Sequence, residues 1–164
     1  MGEGVVIDVR DSAKANRDYQ ISIADIQAWE KQHGRIPDQA IVLINTGFHQ
    51  FYPDKLKYTG TTLTGAEGVA NLHFPGIHPD AAKFLATERK INGIGLDTPS
   101  IDYGQSKEFM THRTLFANNV TAYENVANMD ELPAKGSWIM ALPMKIKGGS
   151  GAPLRLLAFI PESR

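Results

Sequence analysis

A histidine and a glutamate twelve positions apart, His112 and Glu124, are the residue pair in this sequence best suited to metal chemistry. Residues 109–128, which contain both, read as a short helix followed by a strand, so the two side chains can converge on one point. Neutral imidazole nitrogen and carboxylate oxygen are good ligands for Zn²⁺ or Mn²⁺. The alternative is that both are solvated or hydrogen-bonded for structural reasons, as most His and Glu residues are. The pair is therefore a candidate metal half-site that the rest of the chain must support.

The composition is that of a single globular domain spanning residues 1–164, with 42% hydrophobic and 21% charged residues. The 17 basic and 18 acidic residues form no basic cluster, which argues against binding to nucleic acid or to an anionic membrane. Small molecules or further copies of the chain are the expected partners. The absence of cysteine excludes disulfides and thiolate metal sites. No segment resembles a signal peptide or a spanning helix, so we expect a cytoplasmic protein.

Buried strands and capped helices alternate in the first half of the chain. An apolar run at residues 4–9 predicts a strand that begins almost at residue one, and a second run at 40–45 predicts a strand covered on both faces. Between them, Ser22 and Asp25 form the pattern of a helix N-cap, and Gly34 ends the helix. A further helix starts at His78, whose side chain we interpret as a cap. This alternation predicts an α/β fold with a mixed sheet.

Residues 48–74 lose all regular pattern and are rich in aromatic residues, glycine and threonine. Such a segment inside a compact domain is usually functional or mobile. We interpret it as a loop that lines a substrate pocket, with Phe48, Phe51 and Tyr52 as apolar walls. The alternative is that these rings only pin the loop to the core.

Polar residues follow the predicted strand that ends at Asp97. In α/β folds such positions often hold site residues, so Asp97 and Asp102 are candidates, although either could simply cap the loop. Two later strands, at 137–144 and 154–160, are joined by a glycine-rich turn that contains Ser150. No helix follows this turn, which excludes a P-loop, and we expect it to face the substrate.

Seven segments in succession carry a family resemblance over nearly the whole chain. The chain resembles the cyclase family of metal-dependent hydrolases, which includes bacterial kynurenine formamidases and isatin hydrolase. The resemblance implies a swivelling β/β/α fold, a homodimer or homotetramer, and a Zn²⁺ or Mn²⁺ site that hydrolyses an amide bond. It also implies that His112 and Glu124 are metal ligands. The segments are GVVIDVR, ISIADIQAWEKQHG, IVLINTGF, PGIHPDAAKFL, GIGLDTPSIDYG, THRTLFANNVTAYENVANMDELP and GGSGAPLRLLAF.

One family segment has no counterpart in this sequence. Family members carry HxGTHxDxPxH ahead of the strand that corresponds to GVVIDVR, and this segment supplies two histidines and an aspartate to the metal and a further histidine for proton transfer. The remaining histidines, His33, His49, His73 and His78, do not reproduce that spacing. The sequence therefore resembles a family member without its N-terminal part.

Two functions remain open from the sequence. The first is a metal-dependent amide hydrolase of the kynurenine formamidase type, which converts N-formylkynurenine to kynurenine and formate, or a related hydrolase of cyclic amides. The second is a cyclase-fold protein without catalysis that acts as a binding or structural module. Two ligands alone should bind a metal weakly, because few donors compensate for the dehydration of the ion.

Overall fold

The computed structural model describes residues 1–162, whose centre is a six-stranded mixed sheet. Its strands stand in the order β6-β5-β3-β1-β7-β8. The first four are mutually parallel, whereas β7 runs antiparallel to β1 and β8 antiparallel to β7. The α/β class with a mixed sheet is thus confirmed. The strands are β1 (Gly2–Asp8), β3 (Ile41–Asn45), β5 (Gly93–Leu96), β6 (Thr121–Tyr123), β7 (Lys135–Pro143) and β8 (Leu154–Phe159), and a separate pair is formed by β2 (Gln20–Ile21) and β4 (Gly76–Ile77).

Residues 1–162 form six helices beside this sheet. The N-cap predicted at Ser22 is confirmed, because its hydroxyl accepts a hydrogen bond from the Asp25 N–H while the Asp25 carboxylate accepts one from the Ser22 N–H. The cap at His78 is confirmed as well, since its Nδ1 accepts from the Asp80 N–H. The helices are α1 (Arg10–Ala15), α2 (Ile23–His33), α3 (Lys55–Thr59), α4 (Gly65–Ala70), α5 (Pro79–Thr87) and α6 (Met110–Ala117), with 3₁₀ turns at Phe48–Phe51 and Met129–Glu131.

The main core lies between one face of the parallel strands and the helices. Alternate residues of the parallel strands, such as Val42 and Ile94, are fully buried there against α2, α5 and α6. The opposite face is covered more thinly, because the cluster that contains Leu43 and Ile139 is built only from residues of the strands and of the segment 126–132. Burial on both faces explains why the parallel strands read as continuous apolar runs.

The segment 48–74 differs from the expectation of an irregular loop. It contains the first 3₁₀ turn and the short helices α3 and α4. The Asp54 side chain caps α3 by accepting a hydrogen bond from the Lys57 N–H. These helices have only five and six residues, too short for the apolar periodicity that reveals a helix in a sequence. Within residues 1–162, none of the helices combines the length and the hydropathy that crossing a bilayer requires.

Candidate functional site

His112 and Glu124 converge at the carboxyl ends of β5 and β6. His112 lies in the first turn of α6, and Glu124 directly follows β6. Their side chains face each other, with His112 Nε2 3.3 Å from Glu124 Oε1 and with 25% and 35% of the two side chains exposed. The expectation that they point to one place is confirmed, whereas their role as metal ligands stays a prediction.

Asp102 fixes the orientation of the His112 ring. Its carboxylate, only 4% exposed, lies 2.6 Å from His112 Nδ1. The same carboxylate accepts hydrogen bonds from the N–H groups of Thr111 and His112 and from the Ser106 hydroxyl, each at 3.1 Å. With Nδ1 engaged, Nε2 is the nitrogen left to face Glu124. This carboxylate–histidine arrangement is the one that orients histidine ligands in metal sites.

The two carboxylates shift the pKa of His112. The hydrogen bond that His112 donates to Asp102, helped by the one it donates to Glu124 and opposed by burial, raises the pKa of His112 to about 9. Burial raises the pKa of Asp102, but its hydrogen bonds from His112, Thr111 and Ser106 outweigh burial and leave that pKa below its usual value. The imidazole is therefore charged at neutral pH, and a metal must displace its proton to bind.

This shift predicts how the stability of the metal-free protein depends on pH. The folded pKa of His112 lies above its ordinary value of 6.5, so its stabilising contribution is complete below that value and is lost as pH rises to about 9. We expect wild type to exceed His112→Gln by up to about 3 kcal/mol at about pH 6, and by little at about pH 10. Urea unfolding of both proteins in chelator measures the difference. A difference that stays flat or grows with pH would contradict the assignment.

The spacing of the two donors suits one ion, although the donor set is incomplete. Two ligands at about 2.1 Å from a tetrahedral ion lie about 3.4 Å apart, close to the observed 3.3 Å. No group of three or more His, Cys, Asp or Glu side chains among residues 1–162 could hold a metal ion. His112 and Glu124 thus fit as half of a site.

Tyr58 fixes the loop that follows Glu124. Its buried hydroxyl lies 3.0 Å from the Asp97 carbonyl oxygen and 2.9 Å from Asn125 Oδ1. Burial raises the pKa of Tyr58, so the hydroxyl remains neutral. Asn125 adopts a left-handed conformation with φ 56°, which its side chain tolerates better than most. This anchor sets the position of Glu124 at the strand end.

A second polar cluster lies at the ends of β1, β3 and β5. His49 has Nδ1 3.1 Å from Asp97 and Nε2 3.2 Å from Asp130. Asp130 also accepts hydrogen bonds from Asn45 and Arg10. Asp97 is fully buried and accepts from the N–H and hydroxyl of Thr46. Because its carboxylate oxygens hold Thr46 and His49, Asp97 ties the end of β3 to the 3₁₀ turn.

The proposed substrate-binding residues lie in different environments. Phe48 is 4% exposed in a small core cluster with Tyr58, so it pins its segment, as the alternative interpretation held. Phe51 packs against the same cluster, whereas Tyr52 is 70% exposed. Ser150 is exposed in the turn between β7 and β8. None of the four lines the cavities of about 570 and 240 Å³, and their contact with a substrate stays a prediction.

Sequence reasoning identified Asp102 as a candidate but missed what it does. Its position after β5 indicates a site residue. The sequence does not reveal that its carboxylate binds His112, ten residues further on. Tyr58 and Asn125 are 67 residues apart, and no local pattern links them. The sequence does not reveal the partners of His49 either, because they lie 48 and 81 residues away.

The fold and the paired donors define a class of α/β protein with a histidine–glutamate half-site at the carboxyl ends of parallel strands. Residues 1–103 match the model of the Cyclase family ("Putative cyclase"). The chain belongs to this family, as the resemblance implied.

The chain is similar in sequence to proteins named isatin hydrolase and kynurenine formamidase, and similar in structure to isatin hydrolases. The chain is 33% identical over 162 residues to isatin hydrolase of Roseibium aggregatum, an alignment that covers 96% of the chain and 59% of the relative. It is 36% identical over 96 residues to kynurenine formamidase of Bacillus anthracis, covering 56% and 44%. The structure of an isatin hydrolase bound to the product analogue thioisatinate superposes with a TM-score of 0.88 at 33% identity, covering 98% of the chain and 60% of that structure. The chain therefore spans about three fifths of the length of the isatin hydrolases it matches.

Proposed function

We propose that this chain supplies half of the active site of a metal-dependent amide hydrolase that acts on an aryl formamide such as N-formylkynurenine or on a cyclic amide such as isatin. The observation that carries the proposal is the pair His112 and Glu124, held 3.3 Å apart with Asp102 behind the imidazole. The names of the relatives, isatin hydrolase and kynurenine formamidase, support the reaction class. A cytoplasmic location and Zn²⁺ or Mn²⁺ as the ion are part of the same proposal.

Each residue has a role in this scheme that follows from its contacts. Asp102 keeps the proton on His112 Nδ1, so that Nε2 can act as a ligand once it has lost its own proton. Glu124 provides a carboxylate oxygen, and its negative charge offsets part of the positive charge of the ion. When bound, a divalent ion lowers the pKa of a water molecule and polarises the amide carbonyl. Further ligands must come from outside residues 1–162 of one chain, because these residues form no group of three donors.

The lack of a third metal ligand among residues 1–162 also supports a second candidate function. A cyclase-fold protein whose site stays incomplete would bind an aromatic amide or a protein partner without hydrolysing it. Isothermal titration with isatin or N-formylkynurenine, in the presence and absence of Zn²⁺, separates the two. Amide binding that is independent of metal and unaffected by the change His112→Ala would favour the binding module, whereas binding that requires both would favour the hydrolase.

Metal titration tests the half-site directly. We expect the chain to bind one Zn²⁺ weakly and to release a proton on binding below about pH 9, because the raised pKa of His112 makes metal and proton compete. His112→Ala should abolish both the binding and the proton release. His78→Ala is the matched control, since His78 only caps α5. Calorimetry in two buffers with different heats of ionisation measures the proton release. Unchanged zinc binding by His112→Ala would remove the assignment.

A further inference from the structure

Two phenylalanine rings stand beside the imidazole of His112 on α6. Phe109 precedes His112 by three positions and Phe116 follows it by four, the spacings at which helical side chains meet. The ring centroids of Phe109 and Phe116 lie 6.2 and 5.4 Å from that of His112, with interplanar angles of 79° and 84°. Both contacts are edge-to-face, a geometry that aromatic pairs prefer. We call Phe109 and Phe116 the aromatic bracket.

The hydrophobic core does not explain the position of the aromatic bracket. Phe109 is 51% exposed and Phe116 is 52% exposed. Neither ring belongs to the three apolar clusters formed by residues 1–162, whereas Leu115 on the same helix is fully buried in the largest of them. A ring that leaves half of its surface in water gains only part of the stabilisation that full burial gives. The feature that the two rings share is instead their contact with the imidazole.

The backbone of Phe109 is strained. This residue is the N-cap of α6 and adopts φ 50° and ψ 42°, in the left-handed region, which is an outlier for a bulky side chain. Hydrogen bonds on both sides hold it there: its carbonyl oxygen accepts from the Arg113 N–H, and the Asp102 carboxylate accepts from the N–H groups of Thr111 and His112. Strain of this kind is typical of functional sites. Because φ and ψ set the direction of the side chain, relaxation of this backbone would move the ring away from the imidazole.

The hydrogen bonds of His112 do not fix its ring plane under all conditions. In this structure Nδ1 faces Asp102 and Nε2 faces Glu124. If Nε2 and Glu124 served as metal ligands, their mutual contact would be replaced and Asp102 would be the remaining one of these two partners. A single hydrogen bond tolerates about 30° of misalignment, whereas a functional site requires its groups to be held within roughly 10–20°. The ring therefore needs a further restraint.

We propose that Phe109 and Phe116 are positioning residues that fix the plane of the His112 imidazole and so keep Nε2 directed at the candidate metal position. One phenyl ring stands one turn before the imidazole and the other one turn after it, so rotation of the imidazole brings it against a phenyl ring. The use of this restraint rests on the proposed function, but the restraint itself is a property of the chain and can be measured with no metal added.

Carbon-13 relaxation of the His112 ring measures the restraint in the full 164-residue chain with chelator present. The measurement uses the Glu124→Ala background, which removes one of the two polar partners of the ring. We expect an order parameter of about 0.85, typical of a rigid group, and a value below about 0.6 after the further change Phe116→Leu. Phe116→Tyr keeps the ring and should retain the high value. A Phe116→Leu chain whose imidazole stays rigid would overturn the proposal.

The matched control for this change is Phe159→Leu. Phe159 is 54% exposed, as the bracket residues are, but it lies on β8. Its replacement should leave both the order parameter of the imidazole and the zinc affinity unchanged. An equal loss of order in Phe159→Leu would show a general loosening of the fold and would count against a specific bracket.

Zinc titration of Phe109→Gly tests the consequence for the half-site. We expect the Kd for Zn²⁺ to rise about tenfold, the lower end of the usual effect of losing a group that orients a ligand. The folding equilibrium constant should stay the same or rise, because glycine adopts positive φ without strain. A merely structural role would lower stability and leave the Kd unchanged, and that result would overturn the proposal. A wild-type chain that binds no Zn²⁺ would count against the proposed function, and the order parameter would still decide the bracket.

Discussion

The 164-residue chain is expected to hydrolyse N-formylkynurenine slowly or not at all, even with saturating Zn²⁺ or Mn²⁺. A catalytic zinc site usually has three protein ligands and an open position, whereas the candidate site joins His112 and Glu124, and no group of three donors that could hold a metal occurs among residues 1–162. The chain also lacks a histidine in the HxGTHxDxPxH context to carry the proton, a role worth roughly 10²–10⁴-fold in rate. Product formation by the chain, measured together with its metal content, checks this expectation.

Addition of the missing metal ligands should restore hydrolysis. Fusion of an HxGTHxDxPxH segment ahead of Met1 should raise metal affinity and activity together, and His112→Ala in the fused chain should abolish both gains. His78→Ala in the same fusion serves as the control and should retain them. Efficient turnover by the unfused chain with one metal bound per chain would show that the remaining ligands come from other histidines of the chain or from a neighbouring subunit. The interpretation that the metal site of this chain is incomplete would then be wrong.

Gly76→Ala should damage both stability and metal binding, because Gly76 lies directly under the loop that carries Asp102. A Cβ at this position would stand 2.1 Å from the Tyr103 nitrogen and 2.3 Å from the Asp102 carbonyl carbon. Both atoms are backbone, so no side-chain rotation can relieve the clash. We expect a loss of about 3 kcal/mol or more in the free energy of unfolding. Displacement of Asp102 should also weaken zinc binding roughly 10–100-fold, the usual effect of losing the group that orients a ligand.

The control for this change is Gly151→Ala. A Cβ there meets no atom within 4 Å, so the variant should retain wild-type stability and metal affinity. Urea unfolding and zinc titration of the three proteins provide the measurements. A Gly76→Ala protein with native stability would mean that the loop at Asp102 shifts freely, and the inferred rigidity of the site would be lost.

The local sequence determined most of the secondary structure outside residues 48–74. The helix start at Ser22 followed from a capping pattern whose partner is three residues away, and the start at His78 followed from the proline and acid after it. The buried strand β3 followed from an unbroken apolar run. These features were predictable because the interactions that create them lie within one or two turns of chain.

Spacing and family resemblance also predict that His112 and Glu124 meet. A helix followed by a strand returns the chain to the same edge of the sheet, so a pair twelve positions apart could meet there. The short helices α3 and α4 escaped prediction, since five or six residues are too few to establish helical periodicity.

Tertiary structure alone decided how the half-site is held. The order of β1, β3, β5 and β6 in the sheet sets which strand ends are neighbours, and this order cannot be read from any one segment. It places Tyr58 against Asn125 and His49 between two carboxylates that are distant in sequence. It also leaves one face of β7 and β8 uncovered, because the helices that follow the parallel strands pack back over those strands and extend no further.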